Sequence, residues 1–185
     1  MKDYKRITYA DDSNSSVSLL LKLRIPWLLA GLILGLGLSI IVSRFEKGLS
    51  ENVSLAFFIP FIVYMSDAVG TQTEAIFIRN TATKRYSFAK YLLKEGALGL
   101  SLGIIFGLVS LLFIEFWLKD FDLAITVGLA VFINLTIAPV LALSIAVGLK
   151  KNHQDPALGS GPFATVIQDS LSLLFYFAVA TLIII

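Results

Sequence analysis

Apolar residues in this chain fall into five long blocks separated by short polar breaks. A bilayer core of roughly 30 Å needs about 20 helical residues to cross it, and each block is near or above that length. The pattern predicts helices over about 25–43, 54–80, 90–117, 122–149 and 159–185. Arg24 and Pro26 mark the expected start of the first, with Trp27 at the membrane interface. Residues 1–24 are polar, with Asp11 to Ser16 in the middle, and cannot bury a core. They are expected to form a disordered or short amphipathic cytoplasmic tail. The first apolar stretch has no cleavage-like small-residue site after it, which argues against a removable signal peptide. The expected architecture is an all-α integral membrane fold of five transmembrane helices over 25–185, with no internal repeat.

Composition narrows the chemistry. Of 185 residues, 57% are hydrophobic and only 15% are charged, and most of the charges lie between the blocks. No cysteine is present, so disulfides, thiolate metal sites and iron–sulfur clusters are excluded. The single histidine, His153, lies in an expected loop, which disfavours His-rich zinc or copper transport. Oxygen ligands remain, and these suit hard cations. A net charge of +2 is too small to imply a nucleic-acid partner. Twelve Lys and Arg residues fall on the side of the amino-terminal tail and the second and fourth connections, and three (Arg44, Lys47 and Lys119) on the other. The positive-inside rule then places the amino terminus in the cytoplasm and the carboxyl terminus outside the cell (inner) membrane.

The polar residues inside the blocks carry the functional signal. In the last helix Thr165, Asp169, Ser172 and Tyr176 follow one another by four, three and four residues, which makes a single stripe. The remaining faces read as Leu, Phe, Val and Ile. A carboxylate at bilayer depth costs at least roughly 2.5–3.5 kcal/mol, and no lysine or arginine in the same span offsets Asp169. In the second helix Pro60, Tyr64, Asp67, Thr71 and Glu74 form a matching stripe, and Pro60 should kink the helix and free a carbonyl. Two stripes of hydroxyls around acids suit a hydrated cation path; the plainer reading is a helix–helix hydrogen-bond cluster. Glu95 is expected in the first turn of the third helix, where the macrodipole favours a carboxylate. Glu115, Asp120 and Asp122 are expected to form a solvated outer rim. Asn134, Thr136 and Pro139 suggest a distorted segment in the fourth helix. Gly31 with Gly35, and Gly99 with Gly103 and Gly107, have the four-residue spacing of close helix packing, within the chain or between copies.

Mg²⁺ sheds water reluctantly and is commonly held by one or two carboxylates through retained waters. One acid per chain is thin for a divalent ion, and pairing Asp169 with its copy across a two-fold axis would double the charge. Composition alone does not separate Mg²⁺ from Mn²⁺, Ca²⁺ or a monovalent ion.

Three segments together resemble the transmembrane module of the MgtE magnesium channel family. They are Asp155-Pro156-Ala157-Leu158-Gly159-Ser160-Gly161-Pro162-Phe163 followed by Thr165 and Asp169, the run Arg24-Ile25-Pro26-Trp27-Leu28, and Asp67-Ala68-Val69-Gly70-Thr71-Gln72. The resemblance covers roughly residues 24–185. It implies a homodimer with a pore between the subunits, lined by the second and fifth helices. It also implies that Asp169 is the central Mg²⁺-binding acid, with Thr165 offering its backbone carbonyl one turn earlier. Asp67 stands where the motif usually has asparagine, and Gly161, beside Pro162 near the cytoplasmic mouth, where some members have asparagine. Family members typically carry cytoplasmic amino-terminal and CBS domains that sense Mg²⁺, which 24 polar residues do not supply. Feedback gating is then expected to be absent, supplied by a cytoplasmic partner, or intramembrane.

The leading expectation is therefore channel-like Mg²⁺ transport, with membrane lipids as surroundings. The alternative is a secondary transporter in which Asp169 or Asp67 exchanges Mg²⁺ against Na⁺ or H⁺. An enzyme is not expected: no nucleophile–base constellation or HExxH-like motif occurs, and an Asp67–Asp169 aspartyl dyad lacks supporting motifs.

Overall fold

The first helix begins well before Pro26. Ser16 caps it, its Oγ accepting from the Leu19 backbone N–H at 3.4 Å, and the apolar run that follows sustains the helix through Lys22 and Arg24. The computed structural model describes residues 13–83, 87–153 and 156–185, with side chains at 13–81, 87–153 and 163–185. Its elements are α1 (Val17–Ser43), α2 (Glu46–Glu51), α3 (Ser54–Thr83), α4 (Phe88–Leu118), α5 (Phe121–Lys151) and α6 (Pro156–Ile183). Five of the described helices, all but α2, are long and apolar enough to cross a membrane.

Two boundaries correct the expectations. Residues 17–24 belong to α1 rather than to a tail, and Pro26 lies inside the helix. It removes one backbone donor there without ending the helix. Between α1 and α3 the chain makes a further short helix, α2, whose Gly48 is buried against Ile185. Residues 1–12, which include most of the expected tail, lie outside the described residues.

The bundle is organised around α5, which packs against α3, α4 and α6; α3 also meets α6, and α1 leans chiefly on α6. Over half of the apolar span of α5 is buried (56%), against 6% for α1, so α5 is the axis and α1 the periphery. Leu55, Ile62, Leu123, Val127, Val131, Leu135 and Phe177 form the main core, and Phe77, Leu143, Ala146 and Val147 a second one. Lipid tails are as apolar as leucine, so burial drives helix association weakly here and close van der Waals packing must do more. The α4 glycine ladder supplies it, inside the chain. A Cβ on Gly103 would lie 2.6 Å from the Phe132 carbonyl oxygen, and one on Gly107 would lie 2.9 Å from that of Gly128. Gly99 seats against the Leu135 and Thr136 carbonyls, beside Pro139. Pro139 cannot bond the Leu135 carbonyl, and that carbonyl lies against Gly99 of α4 within an α5 that runs unbroken from Phe121 to Lys151. By contrast, nothing lies within 4 Å of a Cβ on Gly35.

Candidate functional site

The α3–α6 contact brings together residues from both polar stripes. The Thr165 Oγ1 hydroxyl donates to Asp67 Oδ1 at 3.0 Å, joining positions 98 residues apart. One turn further along α6 from Thr165 stands Asp169. The Asp169 Oδ1 oxygen is buried and accepts no hydrogen bond. Among the described residues no cation pairs with Asp67 or Asp169; the ion pair Lys47–Glu51, at 3.8 Å, lies on exposed α2. The pair is thus two carboxylates and a hydroxyl at membrane depth. Among the described residues no three His, Cys, Asp or Glu side chains gather into a metal cage. Two acids match the sparse anionic contact made with a hydrated hard cation rather than a dry cage.

The rest of the stripes divides by exposure. Pro60, Tyr64 and Thr71 lie on the outside of α3, with Asp67 and Glu74 half-buried among them. Ser172 and Tyr176 depart from the expected path: both are buried in the bundle, at 1% and 0% exposure. The Tyr176 hydroxyl donates to the Leu55 carbonyl at 2.7 Å. Ser172 Oγ has no partner and borders a cavity of about 10 Å³ shared with Ser66, Asn134 and Gln168. That is room for about one water at most. The α6 stripe therefore splits, Thr165 and Asp169 facing α3 while Ser172 and Tyr176 serve packing. Gly161 and Pro162 fall in the first turns of α6, where side chains lie outside the described residues.

Other polar expectations are also redrawn. Glu95 lies two turns into α4, beyond the first turn; it is buried and accepts from Thr73 Oγ1 at 3.0 Å. Asp120 caps α5 by accepting from the Leu123 N–H at 3.0 Å. Glu115, placed in a solvated rim by the sequence, has one carboxylate oxygen buried without a hydrogen bond.

Sequence reasoning missed Gln168 and its bond to Ser66. Gln168 is 3% exposed, and its Nε2 donates to the Ser66 carbonyl and, at 3.1 Å, to Ser66 Oγ. Its amide lies over Gly70, occupying the place where a Cβ would stand. Each residue immediately precedes an acid, about 100° off the stripe that held attention. A signal was present: Gln168 is the only carboxamide between 156 and 185.

Comparison with known proteins now decides the family. Residues 59–179, which take in most of α3, all of α4 and α5 and most of α6, match MgtE, described as a divalent cation transporter. The chain belongs to the MgtE family. It is 33% identical over 162 residues to the magnesium transporter MgtE of Enterococcus faecalis and 32% over 161 residues to that of Bacillus subtilis. With the Thermus thermophilus magnesium transporter MgtE the identity is 28% over 166 residues. These matches take in 85–87% of this chain but 36% of each relative, so the chain spans about a third of their length. MgtE proteins are transporters rather than enzymes, and the resemblance carried by the three sequence segments is thereby confirmed at the level of the family.

Proposed function

We propose that two copies of this chain form a channel-like Mg²⁺ path across the cell membrane, lined by the second and fifth membrane spans, α3 and α6. The observation that carries the reading is the buried Asp169 carboxylate oxygen, which has no hydrogen-bond partner among the described residues. A buried anion without a donor or counter-charge is expensive, and a passing hydrated cation supplies what it lacks. Asp169 from each copy would accept hydrogen bonds from the ion's waters, so the ion keeps most of its shell. Asp67 would add charge at the same level, oriented by the Thr165 hydroxyl. Membrane potential is sufficient as a driving force. At about 2.3 kcal/mol per charge per 100 mV, a divalent ion gains about 4.6 kcal/mol for each 100 mV. The Lys and Arg bias orients the path with the amino terminus in the cytoplasm.

The test is Mg²⁺ influx into proteoliposomes under an imposed potential, with and without pH or Na⁺ gradients. Wild type should conduct without a counter-ion gradient. Asp169→Ala should lose more than tenfold of the flux while remaining folded, and Asp67→Asn should lose less. Flux that requires H⁺ or Na⁺ would make the protein an exchanger, and undiminished flux in folded Asp169→Ala would remove the proposed site.

A further inference from the structure

We infer that Gln168 is a positioning residue for this ion path: with Ser66 and Gly70 it forms a clasp that fixes how far apart Asp67 and Asp169 stand. The inference rests on the proposed path and adds a residue to it. Ser66 directly precedes Asp67, and Gln168 directly precedes Asp169. A bond between the first members of these pairs therefore sets the register and separation of the second. In a helix the Ser66 carbonyl already accepts from the N–H one turn ahead, at Gly70. To add a second donor to that carbonyl, the Gln168 amide must lie across the Gly70 backbone, and it does so where a Cβ would collide with it. Glycine at 70 is thus a condition of the clasp. Gln168 is buried, so bulk water does not compete for its donor. The Thr165–Asp67 bond at 3.0 Å closes the same seam one turn earlier on α6. Together they hold α3 and α6 at two levels with the acids on the same seam.

A group that fixes where the ligands of an ion stand, without touching the ion, should alter affinity before turnover. Partners of metal ligands commonly change affinity by 10–100-fold when removed. The decisive variant is Gln168→Met, which keeps length and apolar bulk but has no donor. In proteoliposomes the half-saturating Mg²⁺ concentration should rise about tenfold, with maximal flux within about twofold of wild type. Gly70→Ala should do the same by evicting the amide, and Gly70→Ala/Gln168→Met should be no worse than the stronger single change. The increase in melting temperature caused by Mg²⁺ should shrink in each variant, which gives a binding readout independent of flux. An unmoved half-saturation in folded Gln168→Met, or fully additive effects in the double variant, overturns the clasp. Should Gln168→Met fail to fold, Ser66→Ala removes only the hydroxyl acceptor; a half-saturation raised about twofold supports the clasp, and an unchanged one overturns it. Asp169→Asn separates the two ideas. Flux retained there sinks the path and the clasp's role in it, whereas flux lost there with Gln168→Met unmoved sinks the clasp alone.

Discussion

Tyr176 shows how one residue can satisfy a pattern and still do something else. Its spacing from Ser172 continues the polar stripe, but its ring is buried beside Phe177 and its hydroxyl reaches the Leu55 carbonyl on α3. It ties the carboxyl-terminal half of α6 to the start of α3. Removing the hydroxyl leaves little cavity and one weakened carbonyl, so the cost is that of a single hydrogen bond in a membrane protein. Tyr176→Phe is expected to lower stability by about 1 kcal/mol, while half-saturating Mg²⁺ stays at the wild-type value. Thermal unfolding in detergent beside the flux assay checks both parts. A large change in Mg²⁺ affinity with unchanged stability would return Tyr176 to the path. Asp169 is its opposite: its Oδ1 finds no partner among the described residues. Cost made that residue legible from sequence. An acid in an apolar run demands an explanation, whereas a tyrosine or serine can be satisfied in many ways.

At the scale of elements, the spans were legible because bilayer thickness dictates their length. Their ends and contacts were less so. The start of α1 was misplaced because proline was read as a boundary, when a capping serine ten residues earlier had already opened the helix. The helix α2 was missed because six residues of mixed polarity carry too few turns for a periodic signal. Glycine spacing was equally ambiguous: Gly35 in α1 and the α4 ladder read alike, yet Gly35 has nothing within 4 Å while the ladder is pressed against backbone on its neighbour. Gly103→Ala would drive a methyl group toward the Phe132 carbonyl, and α4 and α5 must part to admit it. Overpacking of this kind costs about 1–3 kcal/mol. Gly35→Ala meets nothing within 4 Å in the chain and should leave stability unchanged. Comparing the melting temperatures of the two variants checks the contrast. A loss confined to Gly35→Ala would locate the important glycine packing between copies instead. The α3–α6 clasp was hidden for a related reason, since periodicity sorts residues by face but does not say which face meets which helix.

For the whole molecule, the question is what covers the outside of α3. Tyr64 is 67% exposed, Thr71 is exposed, and half-buried Asp67 and Glu74 lie along the same helix. Phe116 on α4 is 86% exposed, as suits a side chain in lipid. A face with carboxylates has no such fit: at roughly 2.5–3.5 kcal/mol for an acid at bilayer depth, contact with lipid tails would oppose insertion. A second copy presenting the same face across a two-fold axis would remove the conflict and, on the proposed reading, bring the two Asp169 carboxylates toward one ion. The absence of cysteine makes this testable on a clean background. Near a two-fold axis a residue meets its own copy, so Tyr64→Cys and Thr71→Cys should form disulfide-linked dimers in membranes under mild oxidation. Phe116→Cys, on the opposite kind of surface, should stay monomeric on the same gel. Mg²⁺ during oxidation should change the yield at position 71, on the α3 stripe one turn past Asp67, more than at position 64. Efficient cross-linking at 116 with none at 64 or 71 would put the subunit contact on α4 and leave Asp169 without its symmetric partner.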